Sequence, residues 1–196
     1  MGPLKGITVL EFSGIGPGPY CGMLLADMGA DVIRLSRIDD KDSYNKFDIH
    51  NRSKRSIVAD LKDPDSVIEI LKLISSVDVL FEGFRPGVME KLGLGPEECF
   101  KLNKALVYGR MTGWGQDGPM SKKAGHDINY ISLSGALNAI GKKDSNPAIP
   151  LNLVGDYGGG GMMLAMGILA AVINSIKTGK GQVVDSAMID GSLSLM

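Results

Sequence analysis

Two side chains suited to acid–base chemistry stand out in the second half of the sequence. His126, one of two histidines, lies in the segment AGHDINY between a glycine and an acid. Asp156 directly precedes residues 157–176, a stretch without charged residues, where it could serve as a helix N-cap. A histidine and a carboxylate on opposite sides of one carbon could exchange its proton, one removing it as the other supplies one. A structural interpretation also remains open, because His126 could simply cap or pack and capping alone would explain Asp156.

The residues around His126 predict that it opens a helix at the end of a strand–loop unit. Residues 112–119 are rich in turn formers, and residues 128–140 form an apolar stretch typical of a helix. Ligands usually bind at the carboxyl edge of a parallel sheet. The first turn of a helix offers free N–H groups there, and these groups could stabilise an enolate oxygen.

Strands and helices alternate along the whole chain. The pattern predicts strands at 7–12, 31–35, 56–60, 78–82, 105–110 and 182–185. It predicts helices at 20–28, 64–75, 88–92, 96–102, 128–140 and 157–176. Alternation at this spacing indicates βαβ units. The predicted fold class is therefore α/β, a Rossmann-like parallel sheet with helices on both faces.

Composition and charge narrow the function classes. The net charge of −1 predicts no strong attraction to nucleic acid or to an anionic membrane. Residues 157–176 have membrane-like composition but several glycines, which favours a helix buried between layers. Cys21 and Cys99 lack metal-ligand spacing, so we expect buried free thiols in a reducing compartment. No signal peptide is recognisable, so we expect a soluble intracellular protein.

Phosphate-binding patterns give a mixed result. The turn GIGPGP at residues 14–19 has proline where a dinucleotide fingerprint needs its last glycine, which argues against NAD. Basic residues near the second and third predicted strands could hold a multiply phosphorylated adenine nucleotide. They are Arg34, Arg37, Arg52, Lys54, Arg55 and Lys62. The alternative for this cluster, a solvated basic surface, remains open.

Six blocks of sequence resemble one known family. They are GITVLEFSGIGPGPYCGMLLADMGADVIRL, NRSKRSIVADLK, FEGFRPGVMEKLGLGP, GRMTGWGQDGP, AGHDINY and PLNLVGDYGGGG. They resemble the family III CoA-transferases of the CaiB/BaiF superfamily, and among them the alpha-methylacyl-CoA racemase branch. The resemblance implies epimerisation at C2 of a 2-methylacyl-CoA in fatty-acid or bile-acid side-chain metabolism, through an enolate. It implies no metal. It also implies no cofactor, since coenzyme A is part of the substrate.

The resemblance also implies roles for individual residues. His126 and Asp156 match the catalytic histidine and aspartate, and Asp127 is expected to support His126 by hydrogen bonding. The residues expected to contact CoA or the thioester are Arg37, Ala59, Asp60, Leu61, Lys62, Arg85, Gly125, Asn129 and Tyr130.

Family members are much longer than 196 residues, and this sets further expectations. Residues 1–196 are expected to be the CoA-binding large domain in truncated form, without the second, smaller domain. The full-length protein is expected to form an interlocked homodimer, in peroxisomes or mitochondria if eukaryotic and in the cytoplasm if bacterial. Two alternatives remain open. One is a CoA-transferase with Asp156 as nucleophile, and the other is a non-catalytic CoA-binding fragment.

Overall fold

Six parallel strands form one sheet in the computed structural model, which describes residues 2–37 and 47–196. The strands are β1 Thr8–Phe12, β2 Asp31–Ser36, β3 Arg55–Val58, β4 Val79–Glu82, β5 Val107–Thr112 and β6 Gln182–Ala187. Their order in the sheet is β3-β2-β1-β4-β5-β6, with every neighbouring pair parallel. This order is that of the Rossmann fold, and it confirms the predicted fold class.

Helical segments connect the strands. The α-helices are α1 Pro17–Asp27, α2 Pro64–Ile74, α3 Val88–Lys91, α4 Pro96–Leu102, α5 Asp127–Leu133, α6 Ala136–Ala139, α7 Met163–Thr178 and α8 Met188–Ser194. A 3-10 turn spans Ile49–Asn51, and a wide π-helical segment spans Leu153–Met162 and continues into α7.

Apolar side chains cover the sheet on both faces. One core cluster joins α1 and α7 to the sheet, and the other joins α2, α3 and α4 to its opposite face. Cys21 belongs to the first cluster and Cys99 to the second. Both are buried free thiols, as predicted.

The helical run from Leu153 to Thr178 is long and apolar enough to cross a membrane by length and composition alone. One side of it packs on the sheet, where a Cβ at Gly109 of β5 would meet the side chains of Leu164 and Ile168. Its other side is exposed, for example at Met166 and Ile176. The prediction of a helix buried between layers is therefore right for one face only, because the described residues place no element over the other.

Two predicted helix boundaries are wrong. Asp156 is not an N-cap, because the helical run already begins at Leu153 with Asn152 as its N-cap. The predicted helix at 128–140 is interrupted between α5 and α6. Gly135 lies there in the left-handed region with φ 86°, a conformation that ends a helix readily at glycine.

The centre of the sheet positions the functional site. β1 pairs with β2 on one side and with β4 on the other. The chain therefore adds strands in one direction from β1 to β3 and in the opposite direction from β4 onward. The connections after β1 and β4 run to opposite faces of the sheet, which leaves a crevice at the carboxyl ends of these strands.

Candidate active site

A cleft of about 1180 Å³ opens at the carboxyl ends of the central strands. Its walls come from the segments that follow β1, β2, β4 and β5 and from the π-helical segment. The predicted site residues that line it are Arg37, Arg85, Gly125, His126, Tyr130 and Asp156. The fold thus brings the proposed acid–base pair to one cleft, although the two residues belong to different helical segments.

His126 is the N-cap residue of α5, as predicted, and its side chain is exposed at the cleft. Its backbone N–H donates a 2.9 Å hydrogen bond to Oδ1 of Asn129. In return, the N–H of Asn129 donates to the carbonyl oxygen of His126 at 2.8 Å. Asn129 does not line the cleft, so its observed contacts fix the helix start that carries His126.

Asp156 lies half-buried in the first turn of the π-helical segment. A Cβ at Gly16 would come within 3.2 Å of its Oδ2, so the turn after β1 closes against this carboxylate. Burial raises the pKa of Asp156, and so does the nearby Asp127. A hydrogen bond from the Asn152 side chain and the proximity of His126 lower it again in part. With a raised pKa, Asp156 can hold a proton nearer to neutral pH than an ordinary aspartate.

Asp127 lies behind the cleft and not on its wall. Its side chain is buried, with 7% of its surface exposed. Oδ2 accepts a 2.7 Å hydrogen bond from the backbone N–H of Asp156. This hydrogen bond links Asp127 to Asp156, and the expected support of His126 by Asp127 stays a prediction.

Tyr130 and Trp114 form an aromatic wall beside His126. Their ring centroids are 4.7 Å apart in an edge-to-face arrangement. A Cβ at Gly113 would lie 2.3 Å from the Tyr130 hydroxyl oxygen, and one at Gly125 would lie 2.8 Å from its ring. These two glycines therefore make room for the ring. Burial, followed by the two nearby aspartates, raises the pKa of Tyr130 to about 12, so its hydroxyl stays protonated.

Among the residues that the structure describes, exposed cations line the cleft at three places. Arg37 follows β2, with its guanidinium 6.0 Å from the centroid of the Phe84 ring, and Arg85 follows β4. Lys123 lies just before His126, and the sequence reasoning had overlooked it. Charge-assisted hydrogen bonds from such groups suit phosphate oxygens.

Half of the basic cluster predicted near β2 and β3 is paired with carboxylates. Arg52, Lys54 and Arg55 make salt bridges with Asp27, Glu11 and Asp31, respectively. The parallel pairing of β3 with β2 brings these cations against carboxylates on β1, β2 and α1. Two members of the cluster, Arg34 and Arg37, do reach the cleft.

The segment from Ala59 to Lys62 follows β3 at the same edge of the sheet but is not part of the cleft wall. The N–H of Ala59 donates to the carbonyl of Ser36, and Oδ1 of Asp60 accepts from the N–H of Lys62. Ala59 lines a separate pocket of about 480 Å³ beside α2. Contact of this segment with CoA therefore stays a prediction.

Sequence reasoning also missed a second histidine at the cleft. His50 packs near Tyr20 and Tyr157, with ring centroids 6.2 Å and 5.6 Å away, and Nδ1 of His50 lies 3.5 Å from Oδ1 of Asp48. His50 and Tyr157 line the cleft. In the sequence, the position of Tyr157 directly after Asp156 is the feature that could have indicated this ring cluster of Tyr20, His50 and Tyr157.

Comparisons with known proteins bear on the family and the fold of this chain. A family model described as CoA-transferase family III matches residues 4–196. The alpha-methylacyl-CoA racemase of Homo sapiens is 48% identical over 192 residues, which cover 98% of this chain and 50% of that protein. A succinate–glutarate CoA-transferase of Agrobacterium fabrum is 35% identical, over 96% of this chain and 51% of that protein.

Solved structures give the same result at the level of the fold. A CaiB/BaiF family protein from Brucella suis superposes with a TM-score of 0.89 at 31% identity, over 99% of this chain and 55% of that one. This chain spans about half the length of the curated relatives that it matches. On the family model and these relatives, the chain belongs to CoA-transferase family III.

Proposed function

We propose that the protein containing this chain epimerises 2-methylacyl-CoA thioesters at C2. The observation that carries the proposal is the position of His126 and Asp156 on the wall of one cleft. Support comes from relatives named alpha-methylacyl-CoA racemase at 47% and 48% identity. One of the two groups is an exposed imidazole, and the other is a carboxyl whose pKa is raised.

The reaction needs one proton removed and one returned. One of the two groups takes the proton from C2, and the electron pair of that C–H bond moves into the thioester carbonyl to give an enolate. The other group then donates a proton to C2 from the opposite face, which inverts the centre. The reverse direction exchanges the two roles, so both groups must be able to gain and lose a proton.

The remaining walls of the cleft fit the rest of the substrate. The charge of CoA is concentrated on its phosphates, and Arg37, Arg85 and Lys123 line the cleft as exposed cations. Tyr130 and Trp114 add an apolar wall near His126. We propose that these groups hold CoA while the thioester lies between His126 and Asp156.

Assembly and compartment are part of the same proposal. The relatives are about twice as long as this chain, and we propose an interlocked homodimer for the full-length protein. We further propose a role in fatty-acid or bile-acid side-chain metabolism, in peroxisomes or mitochondria if the protein is eukaryotic.

One second function is favoured by a specific observation. The carboxylate of Asp156 lines the cleft, and a relative with 35% identity is named as a CoA-transferase. In a transferase this carboxylate would attack the thioester carbonyl, expel the CoA thiolate and form an acyl anhydride. An exposed histidine beside the site is not required for that chemistry, which is why we favour epimerisation.

Proton exchange distinguishes the two functions. Each C2 epimer of a 2-methylacyl-CoA is incubated separately with the protein in deuterated water, and both the loss of the C2 proton signal and the formation of the other epimer are followed. We expect the wild type to exchange and invert both epimers. His126→Ala and Asp156→Asn should each lose at least about a hundredfold in inversion and in exchange of the epimer whose proton the missing group removes, whereas the control Asp65→Asn on α2 should behave as the wild type. Unchanged inversion in His126→Ala would refute epimerisation. Transfer of CoA to a free carboxylic acid, with an acyl group trapped on Asp156, would favour the transferase.

A further inference from the structure

The carboxylate of Asp127 is buried beside the proposed acid–base pair without lining the cleft. Its Oδ2 accepts the 2.7 Å hydrogen bond from the N–H of Asp156. Its Oδ1 is also buried and has no hydrogen-bond partner among the described residues. A buried carboxylate with one oxygen unpartnered costs stability, so packing alone gives no reason for an aspartate here.

Gly155 allows this contact. A Cβ at position 155 would lie 2.6 Å from Oδ2 of Asp127 and 3.2 Å from its Cα. Gly155 is buried, and its backbone does not adopt a positive φ. Glycine is therefore required at this position for space and not for backbone conformation. The close contact between α5 and the π-helical segment therefore depends on a residue of each, the acid Asp127 on α5 and Gly155 on the π-helical segment.

We infer that Asp127 is a positioning residue of the proposed acid–base pair, joining the start of the helix that carries His126 to the backbone of Asp156. The inference rests on the proposed function. Because Asp127 is covalently next to His126, this one hydrogen bond ties together the two backbone segments that carry the reacting groups. The side chain of Asp127 does not line the cleft, so it acts through the two reacting groups and not on the substrate.

The same carboxylate contributes a negative charge next to Asp156. Burial makes the largest contribution to the raised pKa of Asp156, and repulsion from Asp127 comes next. On α5, His126 acts in the opposite direction, and the hydroxyl of Tyr130 stays neutral near both acids. Other titratable groups among the described residues around the π-helical segment are Tyr20 of α1, Asp48, His50, Tyr157 and the exposed Asp190 of α8. The turn at Gly16 contributes backbone only.

The two contributions of Asp127 can be separated by substitution. Asp127→Asn retains an oxygen that can accept from the Asp156 N–H but removes the charge. Asp127→Ala removes both. Asp117→Asn is the matched control, because Asp117 is exposed in the loop before α5 and does not line the cleft.

The decisive measurement is the ¹³C titration of the Asp156 carboxyl, assigned by its absence in Asp156→Asn. We expect Asp127→Asn to lower the midpoint, while Asp117→Asn leaves it unchanged. Proton exchange at C2 is followed in parallel in the full-length protein. There we expect Asp127→Asn to lose no more than about tenfold in kcat and Asp127→Ala about a hundredfold, with KM nearly constant, since misplacing a reacting group by about 1 Å costs that much.

An unmoved midpoint in Asp127→Asn, or equal kcat losses in the two variants, would overturn the inference and leave Asp127 as a packing residue. If Asp127→Ala does not fold, the titration of Asp127→Asn still decides. Failure of the proposed function looks different. In that case the wild type exchanges no C2 proton, whatever the titration of Asp156 shows.

Discussion

The ammonium of Lys54 lies 2.6 Å from Oε2 of Glu11, and both side chains are almost completely buried. The same ammonium donates a 2.9 Å hydrogen bond to the carbonyl of Pro19 in the first turn of α1. One cation therefore fastens the segment that precedes β3 to the end of β1 and to the start of α1. Pro19 belongs to the cleft wall, and so do Asp48, His50 and Asn51 of the segment that leads to Lys54.

The first prediction concerns this pair. Lys54→Met should lower the free energy of unfolding by about 3–5 kcal/mol, because it leaves a buried carboxylate without its counter-charge. Glu11→Gln combined with Lys54→Met should recover most of that loss. Arg55→Met serves as control, since Arg55 and Asp31 form an exposed pair worth about 1 kcal/mol or less. Urea denaturation at pH 7.5 gives the values, and equal losses in Lys54→Met and Arg55→Met would contradict the prediction.

The second prediction concerns the cost of ionising Asp156. Its folded-state pKa is raised, so its negative charge destabilises the folded state at pH values above that pKa. The penalty is relieved as the pH falls toward the unfolded value near about 3.9. Asp156→Asn should therefore raise the melting temperature at pH 7.5, and the gain should shrink as the pH falls from the folded-state pKa toward the unfolded value. Thermal unfolding across pH tests this, with Asp117→Asn as the exposed control. A gain that grows on acidification would contradict it.

The third prediction concerns the space around Tyr130. In Gly113→Ala the new methyl group would overlap the Tyr130 hydroxyl, so the ring must move or the backbone must shift, which costs about 1–3 kcal/mol. Trp114 is the single tryptophan of the chain and contacts that ring, so its emission should change together with stability. Gly18→Ala is the control, because a Cβ there meets no atom within 4 Å. Identical tryptophan emission in the wild type and Gly113→Ala would show that the ring has not moved.

The fourth prediction concerns CoA. Trp114 lines the cleft, so its fluorescence should report CoA binding. Arg37→Ala and Arg85→Ala should each weaken binding roughly ten- to hundredfold, the loss expected for a hydrogen bond to a charged group. Affinity should also fall with added salt. Arg55→Ala should bind as tightly as the wild type, because Arg55 pairs with Asp31 away from the cleft.

A variant of the same titration tests the segment after β3. If Lys62→Ala weakens CoA binding as much as Arg37→Ala does, CoA extends beyond the cleft as the family resemblance implies. If affinity is unchanged, binding is confined to the cleft wall observed here.

The amino-acid sequence alone was sufficient to predict the parallel sheet and the helix that begins after His126. These features depend on local patterns, namely apolar strands of a few residues, helical periodicity and turn formers between them. The sequence blocks were also long enough to identify the family. Even so, local patterns placed Asp156 at a helix cap, because the helical run that begins at Leu153 starts with residues that have no clear helical signal.

Only the tertiary structure decided which partners these residues have. The hydrogen bond from the Asp156 backbone to Asp127 and the ion pairs of Arg52, Lys54 and Arg55 join residues far apart in the sequence. Such pairings follow from the order of the strands and from the packing of α1 and α5 against the π-helical segment. Residue spacing carries no information about that order, so the sequence could not separate Arg52, Lys54 and Arg55, which pair with carboxylates, from Arg34 and Arg37, which reach the cleft.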